Sequence, residues 1–145
     1  MGDLHQHDRN KSIVRRLWDE VWNSRDFDLA DEIMSPDYAE HEKQYAPKLL
    51  TIFPDAHFAV EEMIAEGDKV VSRVTLRGTH QAEYRGIPAT GRPVEVKAVW
   101  IHRLAGGRIV EGIQWGFVDW LGLLQQLGAT IAPPASDQES GNGQI

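Results

Sequence analysis

Apolar residues recur at Ile13, Val14, Leu17, Trp18, Val21 and Trp22, spaced by three and four, with Arg15, Arg16, Asp19 and Glu20 between them. This spacing predicts an amphipathic helix with an aromatic stripe, because positions three and four apart share one face of a 3.6-residue spiral. Asn10 or Ser12 can cap its first turn, and Asn23-Ser24 offers a stop. Asp26 caps a second predicted helix carrying Phe27, Leu29, Ala30, Ile33 and Met34. Ser35-Pro36 ends it, since proline lacks the amide proton and disfavours helix just before it. A third, short helical piece from Pro47 to Phe53 puts Leu49, Leu50 and Phe53 on one side before Pro54-Asp55 breaks it.

The period then changes to two. Strands are predicted over His57 to Ala65, Lys69 to Arg77, Pro93 to Leu104 and Arg108 to Val118. Glu66-Gly67-Asp68 and Ala105-Gly106-Gly107 are connections of hairpin type, so the strands form an antiparallel meander. Gly78 to Arg92 has neither period and reads as a long connection at one end of the sheet, and Asp119 to Leu127 returns to helix. Helices followed by a meander predict an α+β domain, helices packed on one face of a curved sheet, over residues 12–132. Residues 1–11 and 133–145 lack apolar periodicity and are expected to be a flexible N-terminus and a flexible tail. The outward row of the third strand, Glu95, Lys97, Val99, Ile101 and Arg103, mixes charge with apolar surface; it suits a homodimer through the sheet or a solvated face.

Composition narrows the partners. The 145 residues carry 15 Lys plus Arg against 22 Asp plus Glu, a formal charge of −7, which repels a phosphate backbone, so nucleic acid is not an expected partner. The absence of cysteine removes thiolate nucleophiles and Cys-ligated zinc and fits a reducing compartment. No stretch approaches the roughly 20 apolar residues of a membrane span and no signal-peptide pattern opens the chain, so a cytoplasmic protein is expected. Nucleotide-phosphate loops and the Gly-x-Ser-x-Gly elbow are missing, and His5-Gln6-His7, the tightest histidine pair, lies in the expected tail, so no metal is predicted. Acid/base chemistry on an organic molecule, or binding alone, remains.

Val94, Val96, Ala98, Trp100, His102 and Leu104 share the inward face of the third strand. His102 there is a pocket base or a hydrogen-bonded core histidine. On the fourth strand Gly112 and Gly116 flank Gln114, leaving open space beside it or marking a bulge. His80, where the second strand runs out into the long connection, stands between a functional and a structural role; His57 reads as structural. His41, in Tyr38-Ala39-Glu40-His41-Glu42, is a substrate contact or a solvated loop histidine. Glu111 has the alternative of a cross-strand pair, and Asp119 that of a helix cap.

Several segments carry a family likeness: Ile13 to Leu17, Glu20 to Asn23, Pro36 to Tyr38, Phe53 to Asp55, Gly78 to His80, Gly86 to Arg92, Gly107 to Glu111 and Leu123 to Gly128. Taken in order they resemble the SnoaL-like polyketide cyclases of the nuclear transport factor 2-like, or cystatin-like, superfamily. The resemblance implies a cone-shaped curved antiparallel sheet wrapped around N-terminal helices, enclosing a mainly apolar pocket, usually in a dimer. It also implies ring closure of a polyketide ester by intramolecular aldol condensation, with neither metal nor cofactor. The family's acid-base aspartate, three residues beyond the position of Glu111, and its pocket histidine on the preceding strand correspond here to Gln114 and Trp100. A glutamine amide does not titrate and an indole only donates, so neither takes the family role.

Two readings follow. In the first, a small apolar or polycyclic carbonyl compound loses a proton to His80, His102 or Asp119, Gln114 and the Trp100 indole hold the enolate oxygen, and Trp22, His41 and Phe53 line the cavity. In the second, the same cone binds an apolar molecule without turnover, its acid replaced by Gln114. Epoxide hydrolysis, known in the superfamily, needs a second well-placed aspartate that the strands lack.

Overall fold

The computed structural model describes residues 2–112, 117–130 and 132–133; Gln114 and most of the expected tail therefore lie outside the described residues. The chain opens with α1 (Gly2–Arg16), which runs directly into a π-helical segment (Leu17–Asn23). Residues expected to form a flexible N-terminus are thus helical from Gly2. Polar contacts hold this turn where apolar periodicity has nothing to register. The Gln6 amide donates to Asn10 Oδ1 at 2.8 Å, and His7 Nε2 accepts the Gly67 amide proton at 3.0 Å. In the π segment the helix widens, with the Ser24 amide donating five residues back to the Asp19 carbonyl, and Leu17, Trp18, Val21 and Trp22 are all buried.

A 3-10 turn (Phe27–Leu29) and the short α2 (Ala30–Ile33) follow. Ser35-Pro36 ends α2 as expected but also starts α3 (Pro36–Ile52), a helix of 17 residues that takes in both the loop expected before Pro47 and most of the short helix expected from Pro47 to Phe53. Proline is tolerated at the first helical position because that amide has no intrahelical acceptor, and Ser35 Oγ accepts the Tyr38 amide proton as the cap. Pro47, taken from sequence as a helix start, sits inside α3. His41 is accordingly a helical residue.

The strands are β1 (His57–Glu66), β2 (Lys69–Thr79), β3 (Pro93–Ala105), β4 (Arg108–Glu111) and β5 (Phe117–Val118), in an antiparallel sheet of order β1-β2-β3-β4 with β5 also paired to β3. Inward positions of β3 are buried at Val94, Val96, Ala98, His102 and Leu104, as the alternation predicts. The predicted fourth strand divides. Leu104 faces Ile109 and Arg103 faces Glu111, so Val110 is an extra residue and the strand bulges there. The bulge turns Ile109 inward and Glu111 outward, where its carboxylate takes the Arg103 Nε proton at 2.8 Å. The cross-strand alternative for Glu111 is the one realised. The final helix, α4 (Trp120–Gln126), is capped by Asp119, which accepts the Gly122 amide proton at 2.9 Å.

The helices and the sheet's inner face share one core, running from Val14, Leu17 and Val21 through Met34 and Ala39 to Val70, Val74 and Val96. Among the described residues no helix is long and apolar enough to cross a membrane. Ile109 joins the layers: it is fully buried, bridges Met34, and its carbonyl accepts the Ser35 amide proton at 2.8 Å. Ile109→Ala is expected to lower unfolding free energy by about 2–5 kcal/mol in urea titrations, as cavity-forming truncations do; a loss well under 1 kcal/mol would mean the β4 junction is loosely packed.

Candidate functional site

A carboxyl group loses hydration when an apolar shell closes over it, and unless a cation compensates, it keeps its proton to higher pH. The inner cavity contains such a group. The π segment supplies Trp18 and Trp22, α3 supplies Tyr38, Glu42, Tyr45 and Leu49, and the sheet supplies Trp100 and His102. The α3 residues fall at spacings of four, three and four, one helical face, so Glu42 points inward with only 3% of its surface exposed. Its Oε1 accepts the Trp22 indole proton at 2.9 Å.

Burial pushes the Glu42 carboxyl up from 4.5 to about 7, the Trp22 hydrogen bond opposing that rise without cancelling it. Tyr38 and Tyr45 are also pushed up, first by burial and then by the Glu42 charge, and so keep their protons at neutrality. Burial pushes His102 down from 6.5 to about 4, leaving an uncharged imidazole and a weak base. The Trp18 ring lies edge-on to Trp100 and His102, with centroids 5.5 and 5.9 Å away. Trp18 Nε1, Trp100 Nε1 and His102 Nδ1 are buried without a hydrogen-bond partner among the described residues. In a site otherwise apolar, such atoms cost free energy until a ligand oxygen meets them.

The cavity volume is about 30 Å³, space for a water or two. A multi-ring ligand needs several hundred Å³, so the walls must part to admit one. Gly112 sets the spacing beside His102: a Cβ there would lie 2.5 Å from the Tyr38 hydroxyl and 2.6 Å from His102 Cδ2. The missing side chain at Gly112 thus leaves room that the Tyr38 hydroxyl and the His102 ring fill, while the space expected beside Gln114 lies outside the described residues.

Of the residues singled out from sequence, Trp22, Trp100 and His102 line the cavity, and four do not. Phe53 is a core residue whose ring packs 6.1 Å from that of His80. His80 is buried at the base of the β2–β3 connection, its Nδ1 accepting the Thr90 amide proton at 3.1 Å while its backbone bonds to Arg92 and Gly91; it anchors a loop. Asp119 is spent on its cap. His41 stands just outside the cavity wall, 56% exposed. Glu42, Tyr38 and Trp18 were missed as site residues. The signal was the helical spacing from Tyr38 to Leu49, hidden by reading Ser35-Pro36 as a stop alone. Among the described residues, no group of three or more His, Asp or Glu side chains could hold a metal ion.

The two shifted groups act oppositely on stability. The folded chain retains the Glu42 proton that the unfolded chain releases above about 4.5, so stability from this group falls as pH rises from about 4.5 to about 7. The unfolded chain takes up the His102 proton first, so stability from that group falls as pH drops from 6.5 to about 4. Glu42→Gln is expected to gain stability relative to wild type as pH rises through the Glu42 window, by up to about 3 kcal/mol at 1.36 kcal/mol per unit. Urea midpoints at a series of pH values check this; a difference independent of pH would contradict it.

The geometry can be set beside known proteins. The model of the SnoaL-like polyketide cyclase family matches residues 12–127. Aklanonic acid methyl ester cyclase DnrD of Streptomyces peucetius is 26% identical over 136 residues, 84% of this chain and 92% of the relative. Among solved structures, a protein of Jannaschia sp. CCS1 assigned to the SnoaL-like polyketide cyclases superposes with a TM-score of 0.76 at 28% identity, covering 86% of this chain and 95% of the other. AclR of Streptomyces galilaeus, assigned as a hydroxylase, does so with a TM-score of 0.75 at 26% identity, covering 92% and 90%. The two solved structures share the α+β fold of helices on an open antiparallel sheet, and the chain belongs to the SnoaL-like polyketide cyclase family.

Proposed function

We propose that this protein catalyses cofactor-independent acid/base chemistry on a small, largely apolar carbonyl compound, enolisation followed by aldol ring closure or isomerisation, with Glu42 as proton carrier. The observation that supports it is the buried Glu42 carboxyl in an apolar cavity, poised at about 7. A carrier is most effective when its pKa lies near the working pH, where it is ionised often enough to accept and acidic enough to return a proton. In the proposed sequence the Glu42 carboxylate removes a proton from the carbon next to the carbonyl, and the C–H electron pair moves into the enolate. Indole protons of Trp18 and Trp100 hold the enolate oxygen. The enolate carbon then bonds to a second carbonyl of the same molecule, whose oxygen takes the proton back from Glu42. Protons and electrons balance over the cycle, and Glu42 ends ionised.

The relative DnrD, named for an aklanonic acid methyl ester substrate, makes a polyketide ester the compound to try first. As assembly we propose a homodimer through the outer sheet face, where Ile64 and Phe117 are exposed between cross-strand ion pairs such as Arg73 with Glu62; light scattering distinguishes dimer from monomer.

Incubated with aklanonic acid methyl ester, wild type is expected to form the cyclised product. Glu42→Gln, which keeps an oxygen for the Trp22 indole, is expected to lose a factor of about 10²–10⁴ in kcat. Asp119→Asn, still a competent cap, is expected to turn over as wild type does. Full activity in Glu42→Gln contradicts the assignment. Substrate binding without product in wild type favours the second reading, a binding protein that performs no reaction.

A further inference from the structure

A proton carrier sealed from water needs a route by which its charge state equilibrates with solvent. Glu42 divides its two oxygens: Oε1 holds the Trp22 indole, and Oε2 faces His41, whose Nδ1 lies 3.8 Å away. The His41 side chain is 56% exposed and that of Glu42 4%. Successive residues thus stand on the two sides of the cavity wall, one wet and one dry. The imidazole is also oriented. It lies nearly parallel to Tyr38 (16°, centroids 6.1 Å apart) and Tyr45 (9°, 6.4 Å), the neighbouring turns of α3, and both tyrosines line the cavity. The Tyr38 and Tyr45 hydroxyls, beside the same carboxyl, are pushed up by burial and by the Glu42 charge, so both hold their own protons too tightly to relay one at neutrality.

We infer that His41 is the proton relay between solvent and Glu42, a positioning residue that touches no substrate and sets how fast the buried carboxyl reaches its charge state. A small rotation of the ring, or one bridging water, closes the gap from 3.8 Å to hydrogen-bond reach. An imidazole both takes and gives a proton around neutrality, which glutamine and phenylalanine do not. The inference rests on the reading of Glu42 as the proton carrier and adds the path that serves it.

The test needs no substrate. Infrared spectra of the whole protein in heavy water show the carbonyl stretch of a protonated carboxyl; a band that titrates near neutrality and is lost in Glu42→Gln belongs to Glu42. After a laser temperature jump in a buffer whose pH moves with temperature, the relaxation of that band reports proton exchange with solvent. His41→Gln and His41→Phe are expected to slow it by roughly tenfold or more, and added free imidazole is expected to restore it, which a merely structural role would not allow. Unchanged relaxation in both variants overturns the relay and leaves the Glu42 reading standing. A band that fails to titrate near neutrality, or that survives in Glu42→Gln, overturns both.

Discussion

The hydrogen bond from the Trp22 indole to the Glu42 carboxyl spans the joint between the first helical layer and α3, and the chemistry of the cavity depends on it. An apolar shell disfavours the carboxylate, whereas an indole proton favours it. A rise from 4.5 to about 7 says that desolvation wins, at a cost of about 3 kcal/mol for the ionised form. Without the indole the carboxyl would be driven further up and held protonated. With a cation in its place it would be a permanent anion. A neutral donor leaves it between the two.

Each layer contributes one requirement of that balance. The π segment widens where Trp18 and Trp22 stand one above the other, presenting both rings to the cavity. The Ser35 cap and Pro36 start α3 early enough for Tyr38, Glu42 and Tyr45 to share its inner face. The sheet closes the far side with Trp100 and His102, and Gly112 leaves room for the His102 ring and the Tyr38 hydroxyl. His102, uncharged through burial, adds hydrogen-bonding capacity without adding a charge that would pull Glu42 back toward an ordinary carboxylate.

Much of the sheet was legible in the sequence because alternation and turn residues agree: Glu66-Gly67-Asp68 and Gly106-Gly107 bound runs whose inward members are buried on β2 and β3 and half-buried along most of β1. The helical layer was less so. Ser35-Pro36 carries two opposite meanings, stop for one helix and cap for the next, and local chemistry alone does not decide between them. That ambiguity concealed α3 and with it Glu42. The polar face of α1 defeated periodicity in another way, since Gln6 and His7 are held by hydrogen bonds and not by apolar burial. The candidate histidines show the limit of reading side-chain chemistry without depth. His80 and His102 are both fully buried, yet only His102 reaches the cavity, and His41 stays outside it because one residue along a helix is a turn of about 100°.

The central claim, a single carboxyl tuned to neutrality by its burial, is tested most directly by the carbon-13 chemical shift of the Glu42 side-chain carboxyl followed across a pH titration. A midpoint near 7 is the expected result. A midpoint in the ordinary glutamate range, near 4.5, would contradict the account.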